Sequence, residues 1–335
     1  MPDCLATTNP SPTRADWLST ATRTLCAAAV DAPRLSAELL LCHVCGISKI
    51  ELATHPERQL EPAFCAKMQG LLRRRAEGEP VAYLLGRREF FGRDFRVTPA
   101  TLIPRPETEH LIEAALNAHY PSASPFGTKK TAAPIRFADL GTGSGCIAVT
   151  LCAERPNWQG LAVDISRRAL AIACQNATKY GVRHRIQPAL ADFTQPLLRP
   201  NTLDLVISNP PYVGKTEYAG LSPEVRDFEP VTALVPNFID SDQHGHDHDH
   251  HEHEHEHPTS AALQKTPLEG LEHLKTIADA AALALKPGGL LLMEHGCEQG
   301  GAIRVWLESH NWSSVSIHKD LAGLDRLVSA RKPAC

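Results

Sequence analysis

At 335 residues, the chain is longer than one hydrophobic core usually organises, which predicts two domains. Its 43% apolar content is that of a globular protein, and no stretch approaches the ~20 apolar residues that a membrane span needs. The formal net charge is -4, but the seven carboxylates between Asp240 and Glu256 stand without a Lys or Arg among them. Setting them aside moves the remainder from -4 to +3, too little for the electrostatic footprint of a nucleic-acid binder.

The N-terminal stretch MPDCLATTNPSPTR has no basic region leading into an apolar one, so the expected location is the cytoplasm. Ten cysteines raise the question of disulfides. Cys26, Cys146, Cys152 and Cys174 lie among Ala, Val, Ile and Leu, the setting of buried thiols. Cys42 and Cys45 form a lone CxxC, without the two further ligands that a zinc site requires.

Up to about Val97 the pattern is helical, with apolar residues recurring around Leu35, Leu39, Leu40 and Val44, then around Met68, Leu71 and Leu72. EFFGRDFRV, Glu89 to Val97, alternates aromatic and polar residues about a glycine and predicts a hairpin. The three prolines of TPATLIPRPETEH mark a linker before a helix starting near Glu107. This gives a helical domain over 1–88, a hairpin and linker over 89–106, and a second domain over 107–335. Eight arginines between Arg73 and Arg105 suit either an acidic partner surface or intramolecular pairing.

From Ile135 the rhythm is strand, turn, helix: IRFADLG, GLAVDIS, HRIQPALAD and DLVISNPPY read as strands, with a helix over Ser166 to Tyr180. Such alternation implies a doubly wound parallel sheet that binds ligands at strand carboxyl ends. A helix to Leu285, a KPGG turn, the strand LLLMEHG, a helix near Ala302–Ser309 and strands over Ser314–His318 and Arg326–Arg331 complete it. One segment departs from this order. Eight of the 17 histidines fall in DSDQHGHDHDHHEHEHEHP, an insertion over about 240–258 with nothing to bury; it reads as a solvated loop with possible weak divalent-metal binding.

Two motifs carry chemistry. ADLGTGSGCIAV sets Gly141, Gly143 and Gly145 between a strand and a helix, where glycine permits close approach of a ligand to backbone. Asp164 ends the next strand, placed to accept two ribose hydroxyls. This serves dinucleotides and S-adenosylmethionine alike, although GxGxxG would need a glycine where Cys146 stands. Asp192 and Phe193 follow the third strand, a carboxylate for an adenine amino group and a ring for its face.

The second motif is Asn209-Pro210-Pro211-Tyr212. The prolines have no N–H, so the turn offers carbonyl acceptors, with the amide of Asn209 and the flat face of Tyr212 beside them. Such a pocket fits a planar group bearing –NH2, held through its hydrogens. Placed where a sulfonium methyl would point, it serves a methyltransferase and has no evident use in an NAD enzyme.

In order along the chain, GEPVAYLLGRREFFGRDFRV, LIPRPETEHLIE, DLGTGSGCIAV, ISNPPYV, LSPEVRDFEPVTAL and LKPGGLLLMEHG resemble the HemK family of protein-(glutamine-N5) methyltransferases. The resemblance covers nearly the whole chain. It implies a Rossmann-like, seven-stranded class I S-adenosylmethionine-dependent domain preceded by a helical bundle that docks the substrate. It implies that substrate to be the glutamine of the Gly-Gly-Gln loop in peptide chain release factors. By the same resemblance Gly141, Thr142, Gly143, Ser144, Gly145, Asp164, Asp192 and Phe193 hold the cofactor. Asn209 touches cofactor and substrate, and Asn209, Pro210, Pro211 and Tyr212 grip the glutamine, with Asn209, Pro210 and Tyr212 in the catalytic role. No metal site, membrane contact or direct nucleic-acid contact is implied.

After EVRDFEPVTAL the family pattern breaks at the histidine-rich insertion and resumes at Glu269-Gly270-Leu271. Two rival readings remain: an N6-adenine methyltransferase on DNA or RNA, since adenine also presents an –NH2, and a metal-buffering protein built on the insertion.

Overall fold

A computed structural model of the chain describes residues 11–119, 134–236 and 269–334. The histidine-rich insertion, and with it the metal reading, lies outside the described residues, as does the start of the N-terminal stretch. Two compact units are present.

The first unit runs to Glu89 and takes in Asp94–Pro99 and Ser222–Glu229. Its helices are α1 (Arg14–Ala27), α2 (Pro33–Cys45), α3 (Lys49–Thr54), α4 (Pro62–Ala76) and α5 (Val81–Leu85). α1 starts with a capping box in which Thr13 and Asp16 each accept the other's backbone N–H. Leu40, Leu41, Val44, Met68 and Leu72 share a core with Trp17, Leu18 and Leu25. Leu35, expected inside, is 43% exposed, because the inner face of α2 follows Ala37, Leu40, Leu41 and Val44. Cys26 is also exposed and Cys174 only half-buried, whereas Cys146 and Cys152 are buried, with thiol pKa values pushed up by burial to about 12. Within this unit Arg75, 3% exposed, donates to Ser36 and to the carbonyl of Glu79 and pairs with Glu224 at 2.7 Å. Arg74 pairs with Glu79, Arg87 with Asp94 and, in the second unit, Arg93 with Glu154, so clustered arginines are engaged within the chain.

A hairpin of β1 (Arg87–Phe90) and β2 (Arg93–Arg96) turns through Phe91 and Gly92, both at positive φ, as a tight two-residue hairpin turn requires.

In the second unit a 3-10 turn, Pro106–Thr108, leads into α6 (Glu109–His119). β3 (Arg136–Leu140), α7 (Cys146–Glu154), β4 (Gln159–Asp164), α8 (Arg167–Lys179), β5 (Ile186–Leu190) and β6 (Leu203–Ser208) follow. Beyond the short helix α9 (Lys215–Tyr218), and past α10 (Pro223–Arg226), which belongs to the first unit, come α11 (Glu272–Ala284), β7 (Leu285–Glu294), α12 (Gly300–Ser309), β8 (Ser313–Lys319) and β9 (Asp325–Arg331). The KPGG stretch, expected as a turn, lies inside β7. Leu203 pairs with Leu285 and Leu205 with Leu290, so the extra residues form a bulge with Gly288 at φ +76°.

The sheet order is β5-β4-β3-β6-β7-β9-β8, with β9 antiparallel to both neighbours and the five strands from β5 to β7 parallel. This is the seven-stranded, doubly wound arrangement expected of a class I methyltransferase domain. The chain winds outward from β3 through β4 to β5, then returns to the other side of β3 as β6. That reversal opens a crevice at the carboxyl ends of β3 and β6, where doubly wound sheets bind ligands.

Candidate active site

The glycine loop leaves β3 at Leu140. Gly141 and Thr142 donate their N–H groups to the Val163 carbonyl at 2.9 and 2.8 Å, and Gly145 donates to Thr142 at 2.8 Å. Gly141, Gly143 and Gly145 all have positive φ. A Cβ on Gly145 would lie 2.9 Å from the Cβ of Ala173, so this glycine lets α7 and α8 pack closely. A Cβ on Gly143 would meet nothing within 4 Å, so this flank of the loop is open. Below the loop, Asp139 is fully buried and its Oδ2 accepts from the Thr142 hydroxyl (2.6 Å) and the Ala148 N–H (3.2 Å). Burial raises its pKa to about 7.

Asp164 ends β4 with each carboxylate oxygen accepting one backbone N–H, Oδ2 from Gly143 and Oδ1 from Ser166, both at 2.8 Å. Burial raises its pKa against those two bonds. Each oxygen keeps a lone pair, as a ribose diol would need. Asp192 Oδ1 accepts from Thr194 N at 2.8 Å, and the Phe193 ring meets His273 edge-on at 5.1 Å. A Cβ on Gly141 would be 3.9 Å from both Phe193 Cε1 and the Asn209 carbonyl oxygen. The glycine loop, the ring and the Asn-Pro-Pro-Tyr turn therefore converge on one place. An open loop flank, a half-buried Asp164 and a neighbouring ring fit an adenosine-bearing cofactor.

The turn itself is tied on both sides. Ser208, fully buried at the end of β6, donates to the Leu140 carbonyl at 2.5 Å. Val213 N donates to the Leu234 carbonyl at 2.9 Å. Pro210 and Pro211 are buried, Asn209 and Tyr212 half-buried. Gln299 Nε2 donates to the carbonyls of Tyr212 (2.8 Å) and Glu269 (2.9 Å). Gly270, at φ +84°, leaves no space for a side chain, since a Cβ there would overlap the Tyr212 carbonyl. The segment that resumes after the insertion thus packs on the turn.

Three hydrogen bonds join four side chains below it. Asn209 Nδ2 donates to Thr108 Oγ1 at 3.0 Å, Thr108 donates to Glu294 Oε2 at 2.7 Å, and the Tyr212 hydroxyl donates to Glu294 Oε1 at 2.9 Å. Thr108 and Glu294 are each 2% exposed. Burial raises the pKa of Glu294; burial and the adjacent carboxylate raise that of Tyr212, which keeps its proton. Thr108 and Glu294 stand in the RPETE and MEHG stretches, but nothing local in either stretch marks them as site residues. The usable signal was register: β6 and β7 pair Ser208 with Met293, so Asn209 and Glu294 leave neighbouring strands together.

The sheet order, the glycine loop and an acceptor-rich turn beside it define an S-adenosylmethionine-dependent methyltransferase. The family described as PrmC N-terminal domain matches residues 16–86, and the methyltransferase small domain matches 128–221. The chain is 47% identical over 308 residues to the release factor glutamine methyltransferase of Nitratidesulfovibrio vulgaris, covering 91% of this chain and 90% of that one. Proteins of the same name from Cereibacter sphaeroides and Koribacter versatilis are 42% and 36% identical, over 96% and 92% of this chain and 99% and 94% of theirs. The chain belongs to the release factor glutamine methyltransferase family. No helix among the described residues is long and apolar enough to cross a membrane, and no group of three or more metal-ligating side chains occurs among them.

Proposed function

We propose that this protein methylates the side-chain N5 of the glutamine in the Gly-Gly-Gln loop of peptide chain release factors, acting in the cytoplasm, with its helical unit helping to dock the substrate. The observation that carries this reading is the anchored amide of Asn209. Its Nδ2 is engaged by Thr108, which leaves Oδ1 as the acceptor for an incoming –NH2. Gly141–Gly145 and Asp164 hold the cofactor, with Phe193 and Asp192 at the adenine.

S-adenosylmethionine supplies a methyl carbon made electrophilic by its positively charged sulfur. A carboxamide nitrogen is a poor nucleophile because its lone pair is delocalised into the carbonyl. Asn209 Oδ1 and the Pro210 carbonyl accept the two N–H hydrogens, which favours a more pyramidal nitrogen and aims its lone pair at the methyl carbon. Tyr212 packs on the amide plane. The amide nitrogen would take the methyl of a cofactor bound there as the C–S bond breaks and the sulfur becomes neutral, and would then release one proton to solvent. No strong base is needed beforehand. Positioning is the main lever, and holding both groups at attack distance lowers a barrier by about 7–11 kcal/mol in favourable cases.

Labelled cofactor incubated in parallel with a release factor and with DNA tests the reading. Label in the release factor alone is expected. Label in DNA alone would favour the N6-adenine alternative.

A further inference from the structure

We propose that Thr108 and Glu294 are positioning residues that set the polarity of the Asn209 amide, so that its oxygen and not its nitrogen faces the substrate –NH2. This rests on the methyl-transfer reading above. A primary amide can turn over about its last torsion at little steric cost, because oxygen and nitrogen are nearly the same size. Turned over, Asn209 would present two N–H donors to a substrate that is itself a donor, and the grip would fail. Something must therefore distinguish the two ends.

The chain of three hydrogen bonds does so. Both oxygens of Glu294 accept, Oε1 from Tyr212 and Oε2 from Thr108; these bonds and the nearby Arg326 favour its charged form against burial, and an ionised carboxylate only accepts. With Oε2 of Glu294 at 2.7 Å, the single hydroxyl hydrogen of Thr108 is committed to it. Thr108 Oγ1 then offers Asn209 only lone pairs, and the atom 3.0 Å away must be the donor, Nδ2. Tyr212 donates to the other oxygen, Oε1, so a second pocket residue takes its orientation from the same carboxylate. The register of β6 on β7 carries Glu294 to this place, and the 3-10 turn Pro106–Thr108 inserts the hydroxyl between carboxylate and amide. Burial of both residues keeps water from replacing either bond.

The arrangement separates polarity from packing, because two isosteric changes should fail for one reason. Thr108→Val keeps the shape and removes the acceptor. Glu294→Gln keeps the shape and gains an –NH2 that can donate to Thr108, freeing the Thr108 hydroxyl to donate to Asn209 and turn the amide over. Thr108→Ser keeps the hydroxyl.

The test measures kcat and KM for release factor, cofactor Kd, and the same Thr108→Val change made in an Asn209→Ala background. Thr108→Val and Glu294→Gln are expected to lower kcat on the order of 10²-fold, the scale of a misplaced reactant, with cofactor Kd unchanged. Thr108→Ser should stay within about threefold of wild type, and Thr108→Val should cost nothing further once Asn209 is Ala. Full activity in Thr108→Val, a parallel loss of cofactor affinity, or an equal further loss in the Asn209→Ala background would overturn the proposal. Wild-type protein that labels no release factor would instead overturn the functional reading beneath it.

Discussion

The loop after β3 is held by groups near it in sequence, the Val163 carbonyl together with the side chains of Asp139, Asp164 and Asn176. Gly143 and Asp164, joined at 2.8 Å, are 21 positions apart, and Val163 takes the N–H groups of Gly141 and Thr142. The turn after β6 depends on side chains from far away. Asn209 reaches Thr108 across 101 positions, Thr108 reaches Glu294 across 186, and Tyr212 reaches Glu294 across 82. Two neighbouring strand ends have thus been finished by different means. On the proposed reading, a cofactor that is the same in every turnover is met by a locally built loop. Aiming the lone pair of a weak nucleophile calls for a donor–acceptor pattern of fixed direction, which side chains supply and backbone carbonyls alone do not.

If that contrast holds, changes in the turn should reduce turnover and changes in the loop should reduce binding or stability. The largest effect is expected from Asn209→Ala: kcat should fall about 10²–10³-fold, the usual loss for one polar group in a preorganised site. Cofactor Kd, read by calorimetry, should move by less than about threefold. Equal losses in both would reduce Asn209 to part of the cofactor site.

Next is Asp139→Asn beneath the loop. The folded carboxyl has a pKa of about 7 against an ordinary 3.8, so the folded state binds more protons than the unfolded state across that window. Stability due to this group therefore falls as pH rises from about 4 to 7, and its cost is complete above that. The asparagine variant still accepts from Thr142 and Ala148 through its carbonyl. Its stability relative to wild type should rise by about 2–4 kcal/mol between pH 4 and pH 8, on top of a pH-independent cost for the –NH2 placed at the unpartnered Oδ1 position. Chemical denaturation across that range measures it.

A smaller effect is expected for Gly145→Ala, where positive φ and the close approach of Ala173 together cost about 1–3 kcal/mol. A lower Tm and weaker cofactor binding should accompany near-normal kcat at saturation. Smallest of all, deletion of 242–257 should leave methyl transfer unchanged with and without zinc; a change with zinc would bring the histidine-rich stretch into the function.

Legibility in the sequence followed the same divide. The strands, the glycine loop and the Asn-Pro-Pro-Tyr turn could be read from local pattern, since apolar runs, glycines and prolines act on their own backbone. The exposure of Leu35 is not legible in the sequence, because a stripe on a helix is fixed only when a partner chooses the face. KPGG read as a turn because a bulge inside a strand uses the same residues. Thr108 and Glu294 lie in motif stretches, but their role does not show in local pattern: the register of β6 on β7 brings Glu294 to Asn209, and the 3-10 turn Pro106–Thr108 brings Thr108.

The most direct test of the whole account is mass spectrometry of a release-factor digest after incubation with wild-type protein and with Asn209→Ala, each at saturating cofactor. One added methyl on the glutamine of the Gly-Gly-Gln peptide is expected with wild type, and almost none with the variant. Methylation at another residue, or an undiminished yield from the variant, would contradict it.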